Sequence, residues 1–138
     1  MCDSDSWDID NETFEYVQAN FGRFTYDRFA DHVNKRTENF DAKFFCPGVT
    51  EVNTFATDWS GHFNWVCPPI SQVGRALRHF KVCKATGVLC VPEWRSAYFW
   101  PLLIEGNGTV FKSFVKGYLL LDPYFLTFNK SVKTNVFN

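Results

Sequence analysis

Apolar residues in this chain come in short bursts, and their spacing changes along its length. In residues 10–20 and just beyond, Phe14, Val17 and Phe21 recur near helical spacing; Asp10 or Asn11 can cap such a helix and Gly22 stops it. Arg23-Phe24-Thr25-Tyr26-Asp27 is a short β-prone run that ends in an acid. Residues 40–45 predict a second strand, closed by Pro47-Gly48, and residues 52–56 a weaker third. Phe63-Asn64-Trp65-Val66-Cys67 predicts a fourth, stopped by Pro68-Pro69, which have no N–H to give to a ladder.

The clearest helix pattern spans residues 71–85. At 100° per residue Val73, Ala76, Leu77, Phe80 and Cys83 fall on one arc, and Arg75, Arg78 and Lys81 on the opposite one. Gly87 is expected to close this helix. Val88-Leu89-Cys90-Val91, stopped by Pro92, is a continuous apolar run suited to a central parallel strand. Strand, helix and strand over residues 63–91 make a βαβ unit, and the whole chain alternates β and α. The expected fold class is therefore α/β, with a largely parallel sheet and helices on its faces. Residues 110–115 and 118–121 flank Lys116-Gly117 and suit a terminal hairpin, with a helical tail as the alternative. The expected organisation is an acidic leader over 1–10, one domain over 11–121, and a tail over 122–138.

Composition narrows the class. A chain of 138 residues with 16 Phe and 5 Trp has enough apolar surface for one folded core and is unlike a disordered segment. No apolar run approaches the roughly 18 residues of a membrane span, and residues 1–10 are acidic, unlike a secretory or transit signal. An intracellular site, nuclear or cytoplasmic, with no membrane partner is the expectation. Six of the 15 acidic residues and none of the 14 basic ones fall in the first fifteen positions, so the remainder carries an excess of five positive charges. That balance permits contact with nucleic acid.

Candidate chemistry is sparse. Cys2, Cys46, Cys67, Cys83 and Cys90 show no metal-ligand spacing, and His79 with Cys83 is only an i, i+4 pair, so no metal site is expected. His32, His62 and His79 have no adjacent nucleophile motif. Asp27, Asp31, Asp58 and Glu93 lack the spacing of a two-metal ribonuclease H site. In open α/β sheets ligands bind beyond the carboxyl ends of strands, which directs attention to Asp27-Arg28-Phe29-Ala30 and Cys67-Pro68-Pro69-Ile70, and to Asp58 before the fourth strand. The Pro-Pro step is expected to leave two backbone carbonyls free as acceptors. Trp65, Trp94, Phe99 and Trp100 are mostly core candidates, with residues 94–100 the segment expected to be partly exposed.

Trp7-Asp8, Phe14, Phe21-Gly22, Thr25-x-Asp27-x-Phe29-Ala30 and Asn34, followed by Asp58-Trp59 and Cys67-Pro68-Pro69, resemble the phage-type DNA adenine methyltransferases. Thr57-Asp58-Trp59, Gly87-Val88-Leu89-x-Val91-Pro92-Glu93-Trp94 and Ala97-Tyr98-Phe99-Trp100-Pro101 are more similar still to a degenerate methyltransferase segment of DIRS-like and Ngaro-like retrotransposon polyproteins. The resemblance runs from about Trp7 to Leu121 and implies a Rossmann-like sheet. It also implies an S-adenosylmethionine site near Asp27, Phe29, Ala30 and Asp58, and a catalytic motif at Cys67, Pro68, Pro69 and Ile70. In the active family an Asn or Asp oxygen and a proline carbonyl accept the adenine amine, and an aromatic ring stacks on the flipped base. Here the first position is a thiol, a weak acceptor, and the fourth is isoleucine, which has no π face. Residues 27–36 contain no glycine for close cofactor approach.

The expected function is accordingly a non-catalytic, retrotransposon-derived accessory domain with no cofactor. It would bind DNA or RNA weakly through Arg75, Arg78 and Lys81, or scaffold the reverse transcriptase and recombinase domains of the same element. The alternatives are an active adenine methyltransferase that uses S-adenosylmethionine and a host-captured protein-interaction module.

Overall fold

The computed structural model describes residues 8–106 and 110–121 and the backbone of 132–137. Helix α1 (Asn11–Phe21) is capped by the Asp10 carboxylate, which accepts the Thr13 N–H at 2.7 Å, and ends at Gly22 with φ of 118°. Strand β1 (Tyr26–Asp27) pairs in parallel with β2 (Phe63–Val66), which pairs in parallel with β3 (Thr86–Pro92). Helix α2 (Val73–Cys83) crosses from β2 to β3, so the expected βαβ unit forms. A short helix α3 (Trp100–Leu103) precedes β4 (Val115–Leu121) and β5 (Val132–Phe137). The sheet order is β1-β2-β3-β5-β4, with β5 antiparallel to both neighbours.

Two apolar layers cover the sheet. On one face Val66, Leu89 and Val91 meet Val73, Ala76, Leu77 and Phe80 of α2, together with Trp59, Phe99 and Leu103. On the other, Trp65, Val88, Cys90 and Leu121 meet Phe14 and Val17 of α1, with Ile9 and Phe24. Alternate residues of β2 and β3 thus face opposite layers, the reason Val88-Leu89-Cys90-Val91 reads as a continuous apolar run.

Several boundaries differ from expectation. The segment predicted as helix from Ser71 opens instead with a 3-10 turn, Ile70–Gln72, and α2 begins at Val73. Its end is Lys84, in the left-handed region at φ 52°, with the Ala85 N–H returning to the Phe80 carbonyl at 3.0 Å. Gly87 therefore does not close the helix. It lies inside β3, where a Cβ would sit 2.4 Å from the Asn64 carbonyl oxygen, so only glycine lets β2 and β3 approach. The strand predicted over 40–45 reduces to single bridges, Phe40 to Asp27 and Asp41 to Glu51, after which Phe44 and Phe45 turn outward. Residues 52–56 hold a 3-10 turn, Thr54–Ala56, because the Asn53 side chain caps the Phe55 N–H. Lys116-Gly117 is no turn: β4 runs through it with a bulge and pairs with β5, so the hairpin expected between 110–115 and 118–121 does not form.

Candidate functional site

Asp27, Trp65 and Val88 lie across three adjacent strands in register, so the segments that follow β1, β2 and β3 gather at one edge of the sheet. Asp27 is buried. Its Oδ1 accepts the Phe29 N–H at 3.2 Å and its Oδ2 the Arg36 N–H at 3.1 Å, so both oxygens brace the loop that leaves β1. Burial pushes this carboxyl up to about 7, against the pull of those two N–H bonds. The Arg36 guanidinium closes over the same corner. It donates to Asn11 Oδ1 at 2.7 Å and to the Ile9 carbonyl, pairs with Asp8 at 3.4 Å, and stacks 4.9 Å from the Phe14 ring. Open clefts of about 460 and 370 Å³ flank Arg36, and neither is lined by Asp27 or Cys67.

Cys67 follows β2 and is buried facing Cys90 of β3; hydrogen bonding with Cys90 and burial hold its thiol well above the usual range. The Pro69 carbonyl is not free. It accepts the Gln72 N–H at 2.8 Å and thereby opens the 3-10 turn. The Ile70 carbonyl accepts the Tyr98 hydroxyl at 2.7 Å, and that hydroxyl in turn accepts the Gly74 N–H at 3.1 Å. Ile70 itself packs against the α2 layer.

The other nominated residues separate. Phe29 packs edge-on to Phe55 and Trp59, and the Ala30 N–H donates to the Asp41 carbonyl. Asp58 is exposed on the turn that enters β2 at its amino end, so it does not join Asp27 and Cys67. Its carboxylate accepts the Ser60 N–H at 2.9 Å, which holds it below the ordinary range. Arg75, Arg78 and Lys81 are exposed on α2, as the periodicity requires. Arg75 lies 4.2 Å over the Phe55 ring and Lys81 4.6 Å over Phe114. From Trp59 to Pro92 the sequence has no acidic residue at all. His79 and Cys83 do meet, at 3.3 Å, but among the described residues no group of three potential ligands gathers around a metal position.

Sequence reasoning missed a buried polar network. Arg28 bonds Asp41 at 3.0 Å and Asn64 at 2.7 Å, and stacks 3.4 Å over the Tyr26 ring. Asp41 also accepts from the Tyr26 hydroxyl at 2.5 Å and the Thr54 hydroxyl at 2.7 Å. A buried ion pair persists only when its remaining lone pairs and protons are bonded, and here they are. The i, i+2 spacing of Tyr26 and Arg28, which puts both on one side of extended chain at the end of β1, was the available signal.

The sequence matches the family model for DNA N-6-adenine-methyltransferase (Dam) over residues 1–110. The chain belongs to the Dam family. No curated protein matches it. The Dam family implies S-adenosylmethionine, and the residues here do not suit that group. Both Asp27 oxygens are spent on main-chain N–H groups, residues 28–36 hold no glycine, and Arg36 fills the corner beyond β1.

Proposed function

We propose that this Dam-family chain is a non-catalytic accessory domain of a retrotransposon polyprotein. It works inside the cell, in nucleus or cytoplasm, beside reverse transcriptase and recombinase domains, and binds nucleic acid weakly through Arg75, Arg78 and Lys81. The observation that carries the reading is Cys67. At the position where the family holds an amine acceptor, this chain has a thiol that stays protonated and faces Cys90. A protonated thiol accepts hydrogen bonds poorly, and losing one preorganised contact to the reacting amine costs on the order of several kcal/mol.

The test is tritium transfer from labelled S-adenosylmethionine to adenine-containing DNA with the full chain, alongside calorimetric titration of the unlabelled compound. No transfer and no binding heat are expected. Methyl transfer to adenine would overturn the reading in favour of a working enzyme. Support for a second reading, a host-captured protein-interaction module, comes from Phe44 and Phe45, which are 73% and 82% exposed on adjacent positions. On that reading replacing both by serine abolishes partner binding and leaves nucleic-acid binding unchanged.

A further inference from the structure

The edge beyond β2 and β3 carries an aromatic side chain, Tyr98, to which the resemblance assigns neither a catalytic nor a cofactor role. Tyr98 is 53% exposed, yet both hydrogen-bonding capacities of its hydroxyl are engaged, as donor to the Ile70 carbonyl and as acceptor from the Gly74 N–H. The ring is thus pinned at its far end. It lies against the α2 backbone at a glycine: a Cβ on Gly74 would sit 3.3 Å from the Tyr98 ring and 3.5 Å from Leu102. A half-exposed ring held by two hydrogen bonds and seated on glycine loses little freedom when a second ring stacks on it.

Its surroundings are cationic. Arg78 stands one helical turn beyond Gly74, Arg75 is the next residue along, and both are exposed. Arg95, with a side chain 65% exposed, lies on the turn that leads into Tyr98 and stacks 5.6 Å from Trp100. Glu93 at this edge is paired with Arg95 at 3.3 Å, and Asp8 and Asp27 lie near the exit of β2 at Cys67; the stretch from Trp59 to Pro92 itself has no acid.

We propose that Tyr98 and the cations around it form a site for single-stranded nucleic acid: an unpaired base stacks on the Tyr98 ring, and Arg75, Arg78 and Arg95 hold the flanking phosphates. The inference rests on the nucleic-acid reading above and adds the strand type and the stacking residue. A duplex buries its base faces, so an exposed ring gains nothing from it, whereas an unpaired base offers a π face worth about 1–3 kcal/mol. The phosphate contacts serve either form.

The test is fluorescence anisotropy of the full chain with a labelled 12-nucleotide oligothymidylate and with a matched duplex, at low salt and across a salt series. The parent is expected to bind the single strand more tightly. Tyr98→Leu is expected to weaken single-strand binding roughly 5- to 100-fold and to leave duplex binding as it was, while Tyr98→Phe keeps the preference. The Arg75→Ala, Arg78→Ala, Lys81→Ala triple variant is expected to weaken both and to flatten the salt slope. If Tyr98→Leu melts like the parent and binds single strands equally well, the stacking inference is overturned while the cationic-face reading stands. Binding of neither oligonucleotide by the parent overturns both. Should Tyr98→Leu fail to fold, Tyr98→Trp decides: tighter single-strand binding supports the site, and no gain overturns it.

Discussion

Asp27 shows how one side chain can be recognised in sequence while its partners within the chain cannot. Its position after a short strand is legible; its two main-chain bonds are set by where residue 36 returns, nine positions later. The pH consequence can be worked out. The ordinary carboxyl value is 3.8, and the folded one is about 7. Between those values the folded chain holds a proton that the unfolded chain has released, so Asp27's contribution to stability is full below 3.8 and is lost as pH rises through 7. Chemical denaturation at several pH values checks this. The parent's midpoint is expected to fall from about pH 4.5 to 7 more steeply than that of Asp27→Asn, which has no proton to release. Equal slopes would assign the titration to another group.

At the level of elements, α2 is the best case for reading periodicity. Val73, Ala76, Leu77 and Phe80 are all buried, and Arg75, Arg78 and Lys81 are all exposed, as a 100° rotation per residue demands. Leu77→Ala is expected to cost about 2–5 kcal/mol, read from thermal and denaturant melts. A midpoint within error of the parent would mean that the α2 layer closes around the lost volume. The ends of α2 were less legible. Pro69's carbonyl draws the Gln72 N–H into a tight turn first, and Lys84 adopts a left-handed conformation that glycine takes far more readily. The segment at 40–45 departs from expectation for a related reason. It has strand-like composition, but its ladder ends once Asp41 turns in to Arg28.

Over the whole molecule, the parallel and antiparallel halves of the sheet meet at a single seam, between β3 and β5. Strand β5 lies between β3 and β4 and bonds to both, so residues 132–137 knit the carboxyl-terminal strands to the βαβ unit. Deleting residues 122–138 would leave β3 and β4 each with an unpaired edge. The expected result is loss of the cooperative thermal transition, followed by circular dichroism. A truncated chain that melts sharply near the parent's midpoint would show that α1, α2 and β1–β3 suffice.

The sequence alone determined the class of fold, the apolar face of α2, the parallel pairing of β2 and β3, and the chemistry of Cys67 and Ile70. Each of these is local: periodicity says which face is apolar, a right-handed crossover sets the neighbours of a βαβ unit, and a thiol is a thiol wherever it sits. Only the tertiary structure decided that Gly87 admits Asn64, that Arg28 pairs with Asp41, that Arg36 closes the corner beyond Asp27, and that β4 pairs with residues 132–137. Those are choices among distant partners. Many pairings satisfy the same local pattern, and the one adopted is the one in which buried polar groups find bonds and both faces of the sheet are covered together.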